Sequence, residues 1–211
     1  MENNNQNVIR FYLIANRLKE KIRNGWVEIK ISKDRLESVA EHIYGCLILA
    51  IGLDSEYDLE LDMFKVLKMI TLHELEETII KDFTIRDSIS KEEKIKLGKE
   101  AVKEATKGLI KQEEIETLLD EFNKHETKES LFCYHIDKIE CDFQAKVYDL
   151  QGVFDINNAK EDLAFYGDDA KRVSEAAKCA SDYWIEYDKR LYNDDVIFKS
   201  LIEDIQKLKK L

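Results

Sequence analysis

The run His73-Glu74-Leu75-Glu76-Glu77 places one imidazole and three carboxylates within five consecutive positions. These side-chain types hold divalent metals and move protons. On a helix, residues four apart share a face, so His73 and Glu77 point at one spot and Glu74 approaches it from about 100 degrees around. The run fails the zinc-protease pattern H-E-x-x-H, because position 77 is glutamate and not a second histidine. Taken alone it also reads as a solvated helix face whose histidine bonds locally. Two residues elsewhere bear on the choice. His42 ends Arg35-Leu-Glu-Ser-Val-Ala-Glu-His42 on an apolar helix, and Asp137 lies among Phe132, Ile136 and Ile139. Polar groups that interrupt a core stripe usually have partners.

The elements that must position these groups are helices. The chain has no proline and seven glycines, 36% of it is charged, and a turn-rich sandwich or barrel would need more punctuation. An all-α fold of roughly eight helices is predicted. Val8, Phe11, Tyr12, Ala15, Leu18 and Ile22 mark a first helix ending near Asn24-Gly25, followed by a loop holding Trp26. Asp34-x-x-Glu37 resembles a capping box opening a second helix, which Gly52 ends. A third, central helix is expected from about Leu59 to Ile80, with Phe64, Leu67 and Ile70 on one stripe and Val66, Met69 and His73 on another. Ser90-x-x-Glu93 opens a solvated helix to about Lys107, and a further helix carries Ile115, Leu118, Leu119 and Phe122. A long helix from about Glu129 to Val153 bears Asp137, and helices near 169–191 and 194–210 follow. A polar tail, 1–7, precedes a single domain over 8–211, in which the C-terminal helices cover the core or form a homodimer surface.

Composition narrows the partners. Thirty-three basic against 44 acidic residues give a net charge of −11, which argues against a nucleic-acid partner. With no apolar run near 18 residues and no signal peptide, no membrane association is expected and the chain reads as cytoplasmic. Cys46, Cys133, Cys141 and Cys179 form no C-x-x-C pair and read as reduced core residues. His125 reads as exposed and His135 as pointing off the Asp137 face; Phe165, Tyr166, Tyr183, Trp184 and Tyr187 read as helix packing.

Three ordered strings carry a family resemblance: E-S-V-A-E-H at 37–42, L-H-E-L-E-E-T-I-I-K-D-F-T at 72–84 and H-I-D-K-I-E at 135–140, led by L-K-x-x-x-R-x-G-W at 18–26. Over about residues 9–150 the chain resembles the HD-domain metal-dependent phosphohydrolases, and within them the YfbR-like 5'-deoxynucleotidases. The resemblance implies a small-molecule nucleotide substrate and one divalent metal held by His42, His73, Glu74 and Asp137. It implies Glu77 as catalytic acid/base and Asp82 as the contact to the sugar. Arg23, Trp26 and Arg35 fall in or beside the segments that line the nucleotide pocket. Glu74 stands where the family has aspartate, and Lys81, a candidate phosphate contact, where it has glycine. Two imidazoles and two carboxylates suit manganese, cobalt, iron, nickel or zinc and not calcium. The implied reaction is removal of the 5'-phosphate from a deoxynucleoside monophosphate by a metal-activated water. The alternatives are an HD-type triphosphohydrolase and a non-catalytic module that binds metal or nucleotide.

Overall fold

The structure, a computed structural model, describes residues 4–210 and is all-α. Its helices are α1 (Asn4–Ala15), α2 (Asn24–Glu28), α3 (Val39–Glu56), α4 (Met63–Leu72), α5 (Lys91–Thr106), α6 (Gln112–Lys124), α7 (Lys128–Leu150), α8 (Ile156–Glu161), α9 (Asp169–Ala176), α10 (Asp182–Asp188) and α11 (Val196–Lys207). Contacts divide the chain into two compact units, each discontinuous in sequence. Among the described residues, the first comprises 4–22, 38–83 and 87–134; the second comprises 23–37, 84–86 and 135–210.

In the first unit, α1 enters the region expected to be a tail, and a 3-10 turn, Asn16–Lys19, follows it. The chain leaves and re-enters this unit through an isolated antiparallel bridge between Ile22 and Ser38. The predicted capping box is displaced by four residues. Ser38 caps α3, accepting from Glu41 N–H at 3.3 Å, while the Glu41 carboxylate accepts from Ser38 N–H at 2.9 Å. Gly52 does not stop α3, which runs on to Glu56. Val66, Met69 and Ile70 of α4 are buried as expected, but Phe64 is 80% exposed. Ser90 caps α5 by accepting from Glu93 N–H at 3.1 Å. One apolar cluster gathers Ile14, Leu75, Val102, Ala105, Ile115 and Leu119; another gathers Leu18, Val39 and Ile43.

The largest correction to the helix pattern falls at the motif itself. The predicted helix to Ile80 ends at Leu72, and a separate 3-10 turn spans Leu75–Thr78. His73 Nδ1 bonds the Ile70 carbonyl oxygen at 2.7 Å, and Glu74 turns to φ −104°, ψ 17°. His73 and Glu77 therefore do not lie on one continuous helix, and four-residue helical spacing does not set their relation.

In the second unit Trp26 lies in α2 and is 1% exposed, not in a loop. Its indole stacks on Trp184 at 4.5 Å, meets Tyr148 edge-on at 5.2 Å, and donates from Nε1 to Glu37 Oε2 at 2.7 Å. Glycine at position 25 suits this packing, because a Cβ there would stand 3.3 Å from the Trp184 ring and the indole would have to shift by a few tenths of an ångström. The short 84–86 segment belongs here through Arg86, which bonds Asp162 at 3.0 and 2.8 Å. The expected 169–191 helix is broken between α9 and α10. Tyr166 and Tyr183 pack as predicted, whereas Phe165 is 45% exposed.

This unit also buries an acid that accepts no hydrogen bond among the described residues. Asp142 is fully buried, and among the described residues neither of its oxygens has a hydrogen-bond partner; nor has the hydroxyl of Tyr192. Burial, then the nearby Asp188, pushes Asp142 well above its ordinary 3.8. Burial likewise raises Asp188 to about 6. Folded-state values above the unfolded ones mean that the contribution to stability is complete below about pH 3.8 and is lost as pH rises, for Asp188 through about 6. Asp142→Asn is expected to stabilise the protein at pH 8 by about 1–2 kcal/mol and to change little at pH 4. Urea midpoints at the two pH values measure this; an unchanged midpoint at pH 8 would show that the acid is not a liability.

Candidate metal centre

His42 sits in the first turn of α3 and is fully buried. The cap at Ser38, together with a bond from Val39 N–H to the Lys21 carbonyl at 2.8 Å, fixes where that turn begins. His73 follows α4, 5% exposed, with the edge of the Phe122 ring against it at 5.5 Å. Its Nδ1–H donates to the Ile70 carbonyl, so the proton is committed to that nitrogen and Nε2 presents a lone pair. His42 Nε2 and His73 Nε2 stand 3.4 Å apart, and Glu74 Oε1 is 3.7 Å from each.

These separations fit a metal. Two nitrogens bound at about 2.0–2.1 Å to one tetrahedral ion are about 3.4 Å apart. Each of the three residues offers a ligand atom within 4.8 Å of the others'. Cys46 Sγ lies 3.6 Å from Nε2 and 3.9 Å from Nδ1 of His42. Near-equal distances put the sulfur against the side of the ring and not along a nitrogen lone pair.

Glu77 and Asp82 are 5% and 8% exposed. Glu77 N–H donates to the Glu74 carbonyl at 3.1 Å, which ties the turn carrying the candidate proton-transfer group to the bend carrying the candidate ligand. Burial, and next the adjacent Glu74, lifts Glu76 to about 7. Lys81 is exposed and paired with Asp87.

The second unit holds the other predicted residues. Asp137, on α7, is 8% exposed and accepts from Lys138 Nζ at 2.7 Å. Arg23 is half-buried, with Nη2 3.0 Å from Cys141 Sγ, and Arg35 is exposed. Trp26 lies in the apolar core and offers no open ring face. The histidines set aside from the sequence are packed: His135 is 5% exposed, bonded to Asp195 at 3.3 Å, and His125 is half-buried and stacked on Tyr134 at 4.0 Å. The four cysteines are free thiols, three of them buried.

Sequence reasoning missed Lys21 and Arg17, whose side chains hold the Glu77 turn: Lys21 Nζ donates to the carbonyls of Glu77 and Ile80, and Arg17 Nη1 to that of Thr78 at 3.4 Å. Their only signal was a basic run ahead of the His42 helix.

A family model described as HD domain matches residues 15–195. The chain belongs to the HD-domain family. Among its relatives, the 5'-deoxynucleotidase HDDC2 of Dictyostelium discoideum is 36% identical over 152 residues, which cover 69% of this chain and 79% of that protein. The 5'-deoxynucleotidase hdd1 of Schizosaccharomyces pombe is 31% identical over 163 residues, 74% of this chain and 77% of that protein. A conserved hypothetical protein from Pyrococcus furiosus shares the fold at a TM-score of 0.65, with 24% identity over 95% of this chain and 99% of the other. This HD-domain protein is thus a phosphohydrolase. The family implies a divalent metal, which the His42, His73 and Glu74 cluster could hold. Among the described residues no helix is long and apolar enough to cross a membrane.

Proposed function

We propose that this HD-domain protein hydrolyses the 5'-phosphate of deoxynucleoside monophosphates. The observation that carries the reading is the pair of buried imidazoles with facing Nε2 atoms, 3.4 Å apart, beside a glutamate that reaches both. The family pattern adds Asp137 as the fourth ligand. When bound, a divalent transition metal supplies Lewis-acid polarisation of the phosphoryl oxygen and lowers the pKa of water. Glu77 takes the proton from the attacking water and returns it to the leaving 5'-oxygen, a task suited to a carboxylate shielded from solvent. Asp82, four residues before Arg86 and equally shielded, holds the sugar. Arg23 neutralises phosphate charge, with Arg35 and Lys81 as outer cations, and Trp26 acts from the core by fixing the segment that carries Arg23.

The proposal includes a cytoplasmic location and a homodimer. Supporting the dimer, Val8, Ile9, Tyr12 and Leu13 of α1 and Tyr44, Ile48 and Ile51 of α3 are all at least half exposed, apolar side chains that a second copy would cover.

Chelator-stripped protein, given manganese, cobalt, iron, nickel, zinc or magnesium singly, is expected to release orthophosphate from deoxynucleoside monophosphates and less from ribonucleotides. Tripolyphosphate released from deoxynucleoside triphosphates in its place would overturn the substrate assignment. Silence with every metal would overturn the catalytic one.

A further inference from the structure

Lys21 occupies a position from which one residue reaches two parts of the centre. Its carbonyl accepts from Val39 N–H at 2.8 Å, at the start of the helix that bears His42 three residues later. Its ammonium donates to the carbonyls of Glu77 and Ile80, and the neighbouring Arg17 bonds the carbonyl of Thr78. The turn so gripped is short, Leu75–Thr78, with its own backbone bonds from Glu77 N–H to Glu74 and from Ile79 and Ile80 N–H to Glu76. The carbonyls that follow a helix end have no donors within the helix, and cations are the favoured partners there. The three oxygens taken by Lys21 and Arg17 belong to the segment leading from Glu77 to Asp82.

We propose that Lys21 is a positioning residue, which fixes the Glu77 carboxylate relative to the two histidines without itself touching substrate or metal. The inference rests on the reading of Glu77 as the proton-transfer group. Its physical basis is that a displacement of about 1 Å at a reacting group costs on the order of a hundredfold in rate. A lysine that clamps two carbonyls of the same turn removes that freedom.

The test compares Lys21→Met and Lys21→Arg with the unaltered protein in three measurements: bound metal per chain, steady-state kinetics on a deoxynucleoside monophosphate, and amide hydrogen exchange by mass spectrometry. Lys21→Met is expected to keep its metal and its KM within about threefold, to lose about tenfold to a hundredfold in kcat, and to exchange faster at amides 77–82 while α7 is unchanged. Lys21→Arg is expected to recover most of the kcat and the protection. Full kcat in Lys21→Met, or lost kcat with protection at 77–82 intact, would overturn the proposal. Should Lys21→Met fail to fold, Lys21→Arg decides by itself, because an arginine variant with metal bound but no recovery of protection at 77–82 contradicts the clamp. Exchange is read without turnover, so an inactive parent protein would sink the proposed function while leaving the clamp testable.

Discussion

His73→Ala is expected to reduce bound metal from one ion per chain to a small fraction of that and to lower phosphatase activity by at least about a hundredfold. Two features make the effect large. His73 is one of two imidazoles whose Nε2 atoms face each other at 3.4 Å, and its other nitrogen is committed to the Ile70 carbonyl, so Nε2 is the atom left to hold the ion. Helical content should hardly change, because α4 ends at Leu72 and its buried residues, Val66, Met69 and Ile70, lie upstream. Metal analysis, circular dichroism and turnover on one preparation separate the outcomes. Unchanged metal content would mean that the ion is held elsewhere and that the ligand set is wrong.

Glu77→Gln is expected to behave differently: metal retained, and kcat lower by about a hundredfold to ten-thousandfold. Glutamine keeps the shape and the burial but cannot take a proton. The two variants together distinguish a ligand from a proton carrier, because only His73→Ala should lose the ion. The limb of the pH–rate profile that reports deprotonation of the essential base should vanish with Glu77→Gln. Activity equal to the parent's would assign the proton transfer to another group, and Glu76, already raised to about 7, would be the first to test.

The helical class and the buried character of α4 were legible in the sequence, because each rests on local periodicity or on residue type. His42 stood out as an imidazole on an apolar stripe, and it is fully buried. What the sequence hid was set by contacts between distant segments. Nothing local marks the end of α4 at Leu72: no glycine or proline stands there, and the bend follows from a ring nitrogen bonding a carbonyl three residues back. Asp34 and Glu37 matched the capping pattern as well as Ser38 and Glu41 did, but Glu37 is occupied by Trp26 Nε1, a tertiary partner. Trp26 was misplaced for the same reason. Its core neighbours Tyr148 and Trp184 are invisible from its own stretch of chain.

The bridge between Ile22 and Ser38 closes the neck of a loop whose contents pack with residues much later in the chain. Glu37 N–H bonds the Tyr148 hydroxyl, 111 positions downstream. At about 5–20 residues per second, that partner leaves the ribosome roughly 6–22 seconds after Glu37 does. Throughout that interval Trp26, Ile29 and Ile31 have no core to enter, whereas the segments bearing His42, His73 and Glu77 emerge within it and can associate before it ends. The nascent protein can therefore assemble three of its candidate site residues before the segment bearing Arg23 has anything to fold against.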